Sequence, residues 1–123
     1  MDKDFILNTW IPALRSGTYD QGRHKLKDDQ DRFCCLGLAC HLIDPKWKQL
    51  SRLPEYFYWI GTTNDTHLPY KIADRLFGNG DINCGPEVEI DGIVTNLAGH
   101  NDRGVTFSQI ADALEAWVAQ QDT

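Results

Sequence analysis

The segment Phe33-Cys34-Cys35-Leu36-Gly37-Leu38-Ala39-Cys40-His41-Leu42-Ile43 is apolar on nearly all sides. Whichever secondary structure it takes, other elements must bury it, so it has to sit inside the molecule. Its spacing is read as a helix. Asp44-Pro45 follows at once, and the residue before a proline is pushed away from helical geometry, which ends the element near Ile43. A chain of 123 residues with 41% hydrophobic side chains is long enough to wrap such a segment as one domain, 1–123, without metal or disulfide staples.

The covering elements follow from periodicity and punctuation. Ile6, Trp10, Ala13 and Leu14 recur at helical spacing from Asp4 to Ser16, with Gly17 as the stop. Pro12 predicts a kink there, or a start displaced toward Thr9. Thr18 to Lys27 reads as a short strand or irregular hairpin, and Asp28 to Asp31 as a turn. Leu53-Pro54 to Gly61 and Leu68-Pro69 to Gly78 each pair a proline near the start with a glycine at the end, which predicts two short helices and a faint internal echo. Asp91-Gly92 suits a type I′ hairpin within Pro86 to Leu97, pairing Ile90 with Ile93 and Val88 with Thr95 and turning Glu87 and Glu89 to water. Thr106 and Gln109 form a capping box, and Phe107, Ile110, Ala111, Leu114, Trp117 and Val118 trace one apolar stripe. The expected fold class is α+β, with about five helices and a small antiparallel sheet that includes the hairpin near 86–97.

Charge and cysteine usage narrow the function classes. Twelve Lys plus Arg against 18 Asp plus Glu give a net charge of −6, which argues against a general nucleic-acid-binding surface. No stretch approaches the apolar length of a membrane span, and Met1-Asp2-Lys3-Asp4 lacks the basic start of a signal peptide, so a cytoplasmic setting is expected. Three of the four cysteines, Cys34, Cys35 and Cys40, crowd together apart from Cys84, unlike a disulfide framework. Two adjacent doublets, Cys34-Cys35 and Cys40-His41, lack the spacing of a zinc knuckle, so no metal and no cofactor is expected.

Candidate chemistry is sparse. Cys34 or Cys35 in the first turn of its helix would be a nucleophile candidate, because unpaired amides favour the thiolate. Their apolar flanks argue for packing instead, and the reading leans away from an enzyme. Phosphate-loop, dinucleotide and G-x-S-x-G motifs are absent. Tyr19, Gln21 and Gly22, together with Asn101 and Asp102, are candidate ligand-binding residues. Their plain alternatives are a strand bending at glycine and an Asx-type turn ahead of the last helix. Tyr56, Phe57, Tyr58 and Trp59 are consecutive aromatics on an expected helix, where they cannot all face one core. Tyr56, Tyr58 and Trp59 are therefore candidate protein-interface residues.

These residues also compose a pattern. Trp10, Ala13-Leu14-Arg15-Ser16-Gly17, Tyr19, Gln21-Gly22, Phe33-Cys34-Cys35-Leu36-Gly37, and Asn101-Asp102, Gly104, Thr106-Phe107 and Ile110-Ala111 resemble a family of small, mostly uncharacterised proteins of tailed phages and prophages. The chain departs from that pattern at His24, where a second glycine is expected, and at His41, where an acidic residue is expected. The resemblance implies a phage origin and the host cytoplasm, and no activity. The resulting expectation is a small acidic binding protein that engages a host protein, in takeover or counter-defence. The alternative is a protein that binds, sequesters or cleaves a nucleotide-like small molecule in a cleft formed by Tyr19/Gln21, Cys34/Cys35 and Asn101/Asp102.

Overall fold

The computed structural model describes residues 1–50, 53–59 and 65–121. The chain opens with one helical rod in three consecutive pieces: α1 (Lys3–Phe5), a π-helical turn (Ile6–Trp10) and α2 (Ile11–Arg15). Asp2 caps its start, Oδ1 accepting from the Phe5 amide at 3.1 Å. Pro12 accounts for the middle piece. A proline offers no amide proton and crowds the carbonyl four residues back, so the turn before it widens and Ile11 N–H reaches Ile6 C=O. The wider turn takes the place of the expected displacement toward Thr9. Ile6, Trp10, Ile11 and Leu14 form the buried side of the rod.

β1 (Asp20–Gln21) and β2 (Arg32–Phe33) pair in parallel, and a single antiparallel bridge joins Lys27 to Phe33. The loop between them is anchored by Asp28. Its Oδ1 accepts from the amides of Gln30 and Arg32, each at 2.9 Å, and its Oδ2 accepts from Arg32 Nε at 2.7 Å. α3 (Cys35–Ile43) follows, ending at the extended Asp44 as Pro45 requires. Every residue from Cys35 to Cys40 is buried. Gly37 lets this helix lie against the chain before it, because a Cβ there would stand 1.7 Å from the Leu26 carbonyl oxygen.

The next element corrects an expectation. Leu53-Pro54 opens not a helix but the strand β4 (Leu53–Trp59), antiparallel to β3 (Trp47–Leu50). Pro54 lies near the strand's start, and the aromatic run suits a pleated ladder in which Trp47 faces Trp59. The expected closing Gly61 lies outside the described residues. The second proline-to-glycine run does fold as a helix, α4 (Tyr70–Phe77), with Pro69 at its N-cap and Gly78 at φ +77° past its end. One strand and one helix make no repeat.

β5 (Glu87–Ile90) and β6 (Ile93–Asn96) form the predicted hairpin, with Ile90 opposite Ile93 and Val88 opposite Thr95. Asp91 at φ +54° and Gly92 at φ +81° supply the two left-handed residues that a type I′ turn needs. Asn96 then caps a helix that the sequence did not announce, α5 (Leu97–Asp102), its side chain accepting from Gly99 N. Thr106 and Gln109 complete the capping box of α6 (Phe107–Gln120), which buries Phe107, Ile110, Ala111, Leu114 and Val118. With the rod taken as one helix, the described residues hold five helices and three two-stranded sheets, an α+β fold. α3 is its centre: the rod, α5 and β2 pack on it, while α6 lies along α2 and against β5.

Candidate functional site

The fold brings Gln21, Gly22, Cys35 and Asn101 to one point. Asn101 sits in the last turn of α5 and is fully buried. Its Oδ1 accepts from Cys35 N at 3.1 Å and from Gln21 Nε2 at 2.9 Å, while its Nδ2 donates to Gly22 C=O at 2.8 Å. Gln21 completes the knot, with Nε2 donating to Val105 C=O at 2.7 Å and Oε1 accepting from Phe107 N at 3.0 Å. Two amide side chains therefore satisfy the first amide of α3, the first amide of α6 and the strand end at Gly22. Trp10 reaches the same place from the rod, its Nε1 donating to Cys35 C=O at 3.0 Å. In low dielectric such a network is stable only when its members are paired, and here both side chains are bonded from either end.

The thiols are part of the same packing. Cys34 is the N-cap of α3, its Sγ accepting from Gly37 N at 3.3 Å, and Cys35 Sγ meets Leu97 C=O at 3.6 Å. Burial raises the Cys34 thiol to about 12 in pKa and carries Cys35 and Cys40 well above their ordinary value. The helix-start amides that could have favoured a thiolate at Cys34 are outweighed by desolvation. Cys84 is half-buried, and its thiol is also raised, by burial and by the nearby Asp102 carboxylate. All four cysteines are free.

Three other candidates point elsewhere. Tyr19 leaves the knot for an aromatic cluster, with ring centroids 6.3 Å from Phe33 and 6.0 Å from His41. In that cluster His41 lies 4.7 Å from the Phe33 ring and accepts at Nδ1 from Trp47 Nε1 at 3.1 Å. Burial first, and the Lys27 ammonium second, hold its imidazole below the ordinary pKa. Asp102 turns to the surface, where Oδ1 accepts from His24 N at 2.8 Å. His24 itself stands at φ +68°, so the position where the resemblance expects glycine does adopt the left-handed geometry that glycine favours. Asn101-Asp102 thus end a helix, where an Asx-type turn was one expectation.

Of the expected interface residues, Trp59 is only 8% exposed and its Nε1 donates to Asp44 C=O at 2.8 Å, so it belongs to the core. Tyr56 and Tyr58 lie on the β4 backbone, and their side chains fall outside the described residues. A second buried polar group is His100. Its Nε2 meets Val88 C=O at 2.7 Å, and its Nδ1 accepts from Arg103 Nε at 3.1 Å, while Arg103 Nη2 donates to Ile90 C=O at 2.9 Å. This clasp joins α5 to β5; its only sequence signal was a histidine three residues before an arginine.

The surface opens where the hairpin meets the end of α6. One hollow of about 370 Å³ is lined by Glu87, Val88, Glu89, Val94, Ala116 and Trp117 among others. A neighbouring hollow of about 550 Å³ runs past Asp81, Ile82, Cys84, Pro86 and Asn96, and shares Glu87 and Trp117 with the first. Val94 is 64% exposed, and Trp117 is half-buried, its ring edge-on to Phe77 with centroids 5.7 Å apart. Trp117 was legible only as part of the apolar stripe of α6; its position at the margin of that stripe exposes one side of the indole.

Among the described residues, no group of three or more His, Cys, Asp or Glu could hold a metal ion, and no helix is long and apolar enough to cross a membrane. A protein family described as a domain of unknown function, DUF8296, matches residues 1–118. No curated protein and no solved structure matches the chain.

Proposed function

The chain belongs to the DUF8296 family, and from that footing we propose that it is a small acidic binding protein whose partner is another protein. The likeness to tailed-phage and prophage proteins supplies the setting: a phage product acting in the host cytoplasm on a host factor, in takeover or counter-defence. One observation carries the reading. Among the described residues, the pair of hollows joined at Glu87 and Trp117 is an open surface lined in part by apolar side chains and a half-buried indole, the composition of a protein-binding patch. Tagged protein incubated in host extract should recover one host protein in stoichiometric amount. Recovery of nothing at that level overturns the reading.

The runner-up, a nucleotide-like ligand, draws on the convergence of Gln21, Gly22, Cys35 and Asn101. It requires the knot to open, since the amides a ligand would use are bonded to protein. A thermal-shift screen with nucleotides and cyclic dinucleotides at millimolar concentration decides it, because a ligand bound only by the folded state raises Tm.

A further inference from the structure

We infer that the joined hollows between the β5–β6 hairpin and α6 receive a linear protein segment that alternates Lys or Arg with large apolar side chains. This rests on the protein-binding reading above and names the partner's chemistry and its seat. The argument begins with sign. Glu87, Glu89 and Asp81 line the hollows, and among the described residues no Lys or Arg does. Such a rim attracts cations and repels phosphate, so a basic polypeptide fits it where a nucleic acid or an anionic membrane does not.

Spacing adds to sign. Glu87 and Glu89 are exposed and lie two residues apart on one strand, so they share a face about 7 Å apart. That distance suits the alternate side chains of an extended segment. Beside these carboxylates the lining is apolar, with Val94 across the ladder from Glu89 and Trp117 from α6, while Ile82 and Pro86 line the second hollow that Glu87 shares. Because both hollows share Glu87 and Trp117, one segment can cross from the first into the second. The edge-on contact with Phe77 holds the Trp117 indole in place before anything binds, which reduces the ordering cost of association.

The test uses the intact chain and three short synthetic peptides: one alternating Lys and Leu, one with Glu in place of Lys, and one with Ser in place of Leu. The readouts are amide chemical shifts and titration calorimetry. The Lys/Leu peptide should move the amides of Glu87, Glu89, Val94 and Ala116 and weaken as salt is raised, and the other two should bind far less. The double substitution Glu87→Lys/Glu89→Lys should weaken it on the order of tenfold. Val94→Ser, which removes apolar floor without adding charge, should weaken it as well. All three side chains are exposed, so far-UV circular dichroism and Tm should not move, and a variant that does unfold is replaced by Glu87→Gln/Glu89→Gln.

Equal binding of the Lys/Leu and Glu/Leu peptides, shifts that map elsewhere, or no binding at millimolar peptide would each overturn the inference. The two readings separate in host extract. A stoichiometric host complex that survives Glu87→Lys/Glu89→Lys leaves the protein-binding reading standing and removes this site, whereas the absence of any complex removes both.

Discussion

Replacing Asn101 by alanine removes the one side chain that three segments share. The Cys35 amide and the Gly22 carbonyl, both buried, lose their Asn101 partners, and Gln21 Nε2 keeps only Val105 C=O. A buried polar group left unpaired costs about 1–3 kcal/mol, so the two backbone groups together with the small void predict a loss of about 3–5 kcal/mol. Against a total stability of about 5–15 kcal/mol this is a large fraction. For a chain of this size it corresponds to a fall in Tm of roughly 10–20 °C. Urea unfolding should show a lower midpoint at unchanged m, and calorimetry a matching drop. Asn101→Asp retains the acceptor at Oδ1 but replaces the Nδ2 donor with an oxygen that faces Gly22 C=O, and it buries a charge, so it should be destabilised comparably. If Asn101→Ala melts within about 2 °C of the parent, or above it as removal of a functional polar group often does, the knot is not scaffold and the reasoning fails.

Three further outcomes follow from the same geometry. His24→Gly relieves a left-handed residue and should raise stability by up to about 1 kcal/mol despite losing the exposed His24–Asp102 pair, measured by urea midpoint; a lower midpoint contradicts it. In native protein at pH 8, iodoacetamide should leave Cys34, Cys35 and Cys40 unmodified while Cys84 reacts slowly, and all four should react in urea; mass spectrometry of the peptides reads it, and rapid native modification of Cys34 would contradict the buried-thiol account. Burial, and after it the Lys27 ammonium, lower the His41 imidazole in the fold below its unfolded pKa of about 6.5, so the unfolded chain binds the extra proton first. Stability should therefore be full above about pH 6.5 and decline as pH falls through the folded pKa, and His41→Gln should flatten that limb of the urea-midpoint profile.

Much of the fold was legible because local signals agreed with the tertiary outcome. The capping box of Thr106 and Gln109, the left-handed pair Asp91-Gly92 and the all-round apolarity of Phe33–Ile43 each determine an element almost by themselves. The Leu53–Trp59 strand was not legible, because a proline near the start and a glycine beyond the end are signals that helices and strands can share. The aromatic run, read for β propensity and set against Trp47, was the better guide. α5 was hidden because Gly99, Asn101 and Asp102 are turn-forming residues, used here as a short helix under an Asn96 cap. The parallel contact of β1 with β2 involves two residues on each side, too few for any periodicity.

The candidate site shows the same division. The sequence brought Tyr19, Gln21, Gly22, Cys34, Cys35, Asn101 and Asp102 forward as a set; the fold unites Gln21, Gly22, Cys35 and Asn101 with Trp10, while Tyr19 and Asp102 turn elsewhere. What a sequence does not display is whether a polar side chain has its partners inside the protein. Amide side chains at the starts of α3 and α6 satisfy backbone groups that the helices themselves leave open, so residues with the look of a ligand site here join elements. Residues of the pattern read in the sequence, Trp10, Gln21, Gly22, Cys35 and Asn101, are thus residues that hold the elements together. The groove was invisible for the opposite reason: Glu87, Val94 and Trp117 come from separate elements and match no motif.

Native-state hydrogen exchange at the Cys35 amide tests the central claim most directly. That proton is bonded to Asn101 Oδ1 inside the knot. If the knot is closed scaffold, it exchanges only when the whole domain unfolds, with an opening free energy equal to the global value and the same denaturant dependence. Exchange at Cys35 through a small local opening, while the amides of α6 stay fully protected, would mean that the knot opens as a cleft and would contradict the account.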